Sequence, residues 1–146
     1  MLTLSSKVRY AVRIMAFLAR QPAGRAVSAK KISETEDISF DYTEQILIRL
    51  KAAQLVKSTR GPQGGFVLTD IPENITVADI IAVIEGDINI ISCLAEDCSR
   101  AAHCQTKPLW RRANEALKEI FSGVTIADLA QASENGPEEK VVNFEI

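Results

Sequence analysis

The stretch "YTEQILIRLKAAQLVKSTRGPQGGF", Tyr42 to Phe66, decides the fold of this chain. Its first half has a helical rhythm: Thr43, Ile46, Leu47 and Leu50, joined by Phe40 just upstream, share one face at steps of three and four. Ser39 precedes the run as an amino-terminal cap, because its hydroxyl can accept from a helix amide that lacks an internal partner. Asp41, Tyr42, Gln45 and Arg49 are left largely on the opposite side, facing something other than the core. The second half differs in kind. "LVKSTR" and "GGFVLT" are short strand-like runs joined by "GPQG", so the helix leads directly into a hairpin. Gly61, Gly64 and Gly65 permit positive backbone angles and close approach to a surface, Pro62 stiffens the turn, and Arg60 stands at its base.

Upstream, "AKKISE" after a capping Ser28 predicts a short helix with Ile32 inward, and "TEDIS" breaks the pattern before Ser39. Two short helices separated by such a turn, the second with a polar outer face and followed by a hairpin, outline a winged helix-turn-helix. A wing of this kind can bring backbone amides and a guanidinium onto phosphates or into a minor groove. "RGPQGG" lacks the spacing of a nucleotide-hydrolysing phosphate loop, and no Lys-Ser or Lys-Thr follows it. At the amino terminus, Val8, Ala11, Val12, Met15, Leu18 and Ala19 mark a helix from Ser5 to Arg20, capped by Ser5 or Ser6.

Downstream, Thr76 caps a predicted helix over Val77 to Glu85, with Ile80, Ile81 and Ile84 inward. "KPLWRRANEALKEIFSG" has Pro108 at a helix start, a stripe of Leu109, Ala113, Ala116, Leu117 and Ile120, and Gly123 at the stop. Such a helix needs something to cover its stripe, and the simplest cover is the same helix of a second chain. "TIADLAQAS" makes a last short helix, and "ENGPEEKVVNFEI" reads as a loose tail.

The chain has 146 residues, 47% hydrophobic and 25% charged, enough for one ordinary core, which excludes a disordered tail-type protein. No run approaches the roughly 18 apolar residues that cross a bilayer; the protein reads as cytoplasmic. The net charge of −2 conceals a division: residues 1–65 carry eleven Lys and Arg against five Asp and Glu, and residues 66–146 carry six against fourteen. A basic amino-terminal part joined to an acidic remainder points to an anionic partner for the first part only.

All three cysteines, Cys93, Cys98 and Cys104, lie in "CLAEDCSRAAHC", with the only histidine, His103, beside the last. Clustered thiols in a reducing compartment point to a metal or to redox chemistry rather than to a disulfide framework. Iron–sulfur clusters and zinc favour such ligands. The spacing matches neither the paired knuckles of zinc fingers nor the tight triplet of ferredoxins, although a loop with wider gaps can wrap a cluster. Free thiols, or a redox pair with a spare, are the alternative. Nucleophilic catalysis by Cys104 with His103 lacks an orienting group, and adjacent loop residues rarely point at one another.

Taken in order, "LSSKVRYAVRIMAFLA", "ISFDYTEQILIRLKAAQLVKSTRGPQGGFVL", "ITVADIIAVIE", the three cysteines, "LWRRANEAL" and "VTIADL" resemble the Rrf2 family of bacterial winged-helix transcription factors over about residues 1–131. The resemblance implies a mainly α fold with a small β-wing. It divides into a DNA-binding region at 1–72, a helix and cluster loop at 73–105, a dimerisation helix with a short terminal helix at 106–132, and a tail at 133–146. It implies a homodimer on a pseudo-palindromic double-stranded site, with Ser39, Asp41, Tyr42, Glu44 and Gln45 toward the major groove and Arg60 and Gly61 at the minor groove. Arg49, Lys51 and Lys57 then read as phosphate contacts. Cluster-bearing members use three cysteines in this loop, here Cys93, Cys98 and Cys104, to sense redox, iron or nitric oxide status through a 2Fe–2S or 4Fe–4S group. The first gap is shorter than usual. Where one type of the family takes a fourth ligand from a histidine this chain has Lys107, and where another takes an aspartate from the partner's first helix it has Arg9. His103, Glu96, Asp97, a small molecule or water are the candidates for that place. A cluster-free regulator sensing thiol oxidation or a partner protein is the alternative, and a redox enzyme or metal-trafficking protein a remote one.

Overall fold

A computed structural model describes residues 4–94 and 98–134. Helix α1, Ser6–Ala19, is the element around which the rest is arranged: α2 (Ala29–Glu36), α3 (Phe40–Ala52), α4 (Val77–Glu85), α6 (Ile126–Glu134) and the second wing strand all touch it. Being covered on several sides, α1 buries more than one stripe. Ile14, Ala16 and Phe17 join the predicted Val8, Ala11, Met15 and Leu18 in the core, while Val12 and Ala19 are half-buried. Ser5 is its cap, the hydroxyl accepting from the Val8 amide at 3.4 Å.

Ser28 caps α2 in the same way through the Lys31 amide. Asp37 closes it in the left-handed region at φ 51°, and the amide of Ile38 donates back to the Ser33 carbonyl at 3.0 Å. That reversal sends Ile38 into the core and starts α3 at once. Phe40, expected inward, is 45% exposed at the first position of α3, whereas Ile38, two residues earlier, is the one that joins the core. Thr43, Ile46, Leu47 and Leu50 are buried as predicted.

The wing strands β1 (Val56–Thr59) and β2 (Gly65–Leu68) pair antiparallel, Val56 opposite Leu68 and Thr59 opposite Gly65. Val27, just before α2, adds a bridge to Phe66, exchanging backbone bonds of 2.9 and 2.7 Å. Gly65 makes that bridge possible: its φ is 149°, and a Cβ there would lie 2.3 Å from the Val27 carbonyl.

Thr76 and Asp79 form a reciprocal capping box at the start of α4, and Thr125 and Asp128 repeat it before α6. The two helix starts are joined, the Val77 amide donating to the Val124 carbonyl and the Ile126 amide to the Ile75 carbonyl. By this route α6 returns to α1 and places Ile126 in the winged core. Helix α5, Lys107–Ser122, packs on α4 but leaves Leu109 60% and Trp110 38% exposed. Residues 135–146, most of the expected tail, lie outside the described residues.

Candidate nucleic-acid interface

Helix α3 presents Asp41, Glu44 and Gln45 to solvent on the side opposite its buried face. Ser39 is exposed too, and its hydroxyl makes no capping bond; the Thr43 amide and hydroxyl both donate to the Ser39 carbonyl instead, at 2.9 and 3.0 Å. The positive end of the helix is met by the carboxylate of Asp41 in the first turn.

Three of the expected contact residues are engaged within the fold. Tyr42 is half-buried, its ring edge-on to Tyr10 of α1 with 5.6 Å between ring centres, and the Lys7 ammonium lies 5.7 Å from the Tyr42 centroid. Arg49 donates from Nη1 to the Ile84 carbonyl at 3.0 Å, at the carboxy-terminal end of α4 where carbonyls lack helical partners. Lys51 donates to the Ser58 hydroxyl at 2.6 Å and so ties α3 to the wing. Lys57 on β1 is exposed. Of the other cations in the basic part, Arg13 and Arg20 are ion-paired with Glu36 at 3.1 and 3.3 Å.

At the wing tip Arg60 and Gly61 are exposed, and Gly61, with φ 115°, would have nothing within 4 Å of a Cβ. Gly64 differs: a Cβ there would meet the Thr59 carbonyl oxygen at 2.4 Å. Of the three wing glycines, Gly61 is thus the one open to an outside surface, whereas Gly64 and Gly65 satisfy the wing's own packing. Between the wing and the start of α2 runs an open cleft lined by Arg25, Ser28, Lys31, Thr59 and Gln63. Arg25 lies in no predicted helix or strand and Lys31 lies in the short predicted helix; the only signal that pointed either of them to an anionic partner was membership of the basic part.

The cysteine segment joins α4 to α5. Cys93 lies in a short turn of 3-10 helix, Ser92–Leu94; a second turn, Ala101–His103, precedes Cys104. All three thiols are free and half-buried. Thr106 holds the Cys104 thiol below its ordinary pKa, first through the side-chain hydrogen bond at 3.4 Å and then through its backbone amide, with the Lys107 amide and charge adding to it. The segment is anchored by buried Asn114 of α5, whose Oδ1 accepts from the Ile90 amide at 3.0 Å. His103 is exposed, and Glu96 and Asp97 lie outside the described residues. Among the described residues no three His, Cys, Asp or Glu side chains are grouped to hold a metal ion. The donor set suits a soft metal or cluster, but the thiols as folded do not form a cradle for one.

The chain matches the Rrf2 family, described as an iron-dependent transcriptional regulator, over residues 4–132. It is 37% identical to the HTH-type transcriptional regulator CymR of Bacillus subtilis, covering 92% of this chain and 94% of that protein. Among solved structures it is similar to CymR, the global cysteine regulator of B. subtilis, with a TM-score of 0.77 at 41% identity over 90% of this chain and 98% of that one. It is also similar to T. potens IscR, with a TM-score of 0.75 at 34% identity over 95% and 93%. These relatives are named as regulators and not as enzymes. With its helices, wing and cysteine segment in the order seen here, the chain belongs to the Rrf2 family of DNA-binding transcriptional regulators.

Proposed function

We propose that the protein is a cytoplasmic dimer that holds operator DNA between α3 and the wing and adjusts that hold through the cysteine segment. The observation that carries this reading is the exposed row of Asp41, Glu44 and Gln45 on α3, beside a wing whose Arg60 and Gly61 stand clear of the core. In the major groove Glu44 can accept from a cytosine amino group and Gln45 can pair with both edge atoms of adenine. Arg60 at a narrow minor groove meets concentrated negative potential. Lys57, Arg25 and Lys31, lining or flanking the wing, supply phosphate contacts that set register, while Arg49 braces α3 against α4.

The exposed Leu109 and Trp110 of α5 favour a second copy as the cover for that helix, which would set two recognition helices on successive turns of a pseudo-palindromic site. Sensing is assigned to Cys93, Cys98 and Cys104, because their segment connects α4, braced to α3 by Arg49, with the dimer helix. Similarity to IscR and the family's description support an iron–sulfur cluster on these thiols. The loop would then have to draw them together. A second reading, thiol oxidation without a cluster, is favoured by the similarity to CymR and by the lowered pKa of Cys104.

Anaerobic purification with iron and acid-labile sulfide analysis tests this. Iron and sulfide with visible absorbance, and a change in duplex affinity when the iron is chelated, are expected for the cluster. Iron-free protein whose affinity responds to a thiol oxidant would replace it with the second reading. Absence of sequence-specific duplex binding in every state would overturn both.

A further inference from the structure

Beyond Phe40 at its first position, helix α3 carries a second outward apolar residue, in the middle of its polar face. Ile48 is 65% exposed, more than any other large hydrophobic residue of the described chain, and takes no part in the core. A solitary exposed isoleucine on a solvated face is ordinary. Ile48, however, completes the series Asp41, Glu44, Gln45, Ile48, spaced i, i+3, i+4, i+7, which is the spacing with which a recognition helix meets successive base edges. At about 100° per residue these four positions span roughly 100° of arc, with Ile48 near the middle. The buried Thr43, Ile46, Leu47 and Leu50 lie on the other side.

Propensity argues against chance. At an exposed helix position a β-branched residue is a poorer choice than Ala, Leu, Lys or Glu, and it adds apolar surface to water. The same stiffness fixes the side chain in one dominant rotamer, so its methyl groups are presented in place before any contact is made. In a major groove the one apolar feature of a base edge is the 5-methyl group of thymine. Ile48 lies about 4.5 Å along the axis from Gln45, close to one base-pair step of about 3.4 Å.

We propose that Ile48 is a specificity-determining residue that packs on a thymine 5-methyl group one or two base pairs from the pair read by Gln45. The assignment rests on the reading of α3 as the recognition helix. It predicts an operator half-site that is T-dependent at a position where no hydrogen bond explains the preference.

The test uses full-length protein and a duplex selected from a random-sequence pool, in which each thymine is replaced in turn by deoxyuridine, which lacks only the methyl group. One replacement per half-site is expected to weaken binding about threefold to fivefold, the effect of losing one buried methyl contact. Ile48→Ala should bind the two duplexes within about 1.5-fold of each other, and Ile48→Val should keep most of the discrimination. The inference is overturned if no thymine replacement matters to the unaltered protein, or if the discrimination persists in Ile48→Ala. A general loss of affinity in Ile48→Ala without altered discrimination also overturns it, pointing to a backbone or protein contact. If the unaltered protein selects no duplex, the recognition-helix reading fails first; if it selects one without the methyl dependence, only the role of Ile48 fails.

Discussion

Thr106 and Cys104 form a pair whose chemistry can be read one atom at a time. The Thr106 hydroxyl and two backbone amides favour the thiolate, so Thr106→Val should raise the Cys104 pKa. Since the thiolate is the nucleophile, alkylation of Cys104 followed by mass spectrometry should move to higher pH in that variant, and an unmoved profile would remove the hydroxyl from the account. On α3, Gln45→Ala should weaken binding to the selected duplex by roughly tenfold to a hundredfold per half-site, with relaxed preference at a single base pair. At this scale the sequence was legible where periodicity alone decides, as for the exposure of Asp41 and Gln45, and silent where a neighbour competes. Arg49 has the right position for a phosphate, but the open carbonyl of Ile84 lies within its reach. Phe40 has the right spacing for the core, but the preceding turn buries Ile38 and leaves Phe40 exposed. Neither neighbour is visible from local spacing, because both depend on how the chain turns in three dimensions.

The wing and the cysteine segment each rest on a few close backbone contacts that a single substitution can disturb. Gly65→Ala would place a methyl group against the Val27 backbone and add strain at a positive φ. We expect a loss of about 2–4 kcal/mol in denaturant unfolding, with wing contacts to DNA lost as well. Gly61→Ala meets no atom within 4 Å; its φ of 115° still imposes strain, so a smaller stability loss is expected, with the main effect falling on duplex affinity. In the cysteine segment, Asn114→Ala leaves the Ile90 amide without its acceptor, at a cost of about 1–3 kcal/mol. Faster hydrogen exchange at Ile90 would show it directly. The helices α1 to α6 and the hairpin were legible because capping residues and apolar periodicity mark their ends: Thr76 and Asp79 bound α4 where the pattern says. The cysteine segment was not, since it has no period and Asn114, which accepts from its Ile90 amide, is a polar residue in the middle of α5 with nothing local to mark it.

For the whole molecule, charge division and the uncovered face of α5 work together. The basic part of the chain is the part that forms the winged unit, while Leu109 and Trp110 are exposed on α5, where the proposed second copy would sit. Replacing Leu109 with Asp should shift sedimentation from dimer toward monomer and weaken operator binding by orders of magnitude, since each half-site then binds alone. Several phosphate contacts per protomer predict that affinity falls about a thousandfold or more between 50 mM and 200 mM salt. The central claim, that two copies read DNA with α3 and the wing, is tested most directly by footprinting the full-length protein on its selected duplex. The account predicts two protected patches about one helical turn apart on one face of the DNA, both weakened in Gln45→Ala and in Arg60→Ala. A single protected patch, or protection unchanged in both variants, would contradict it.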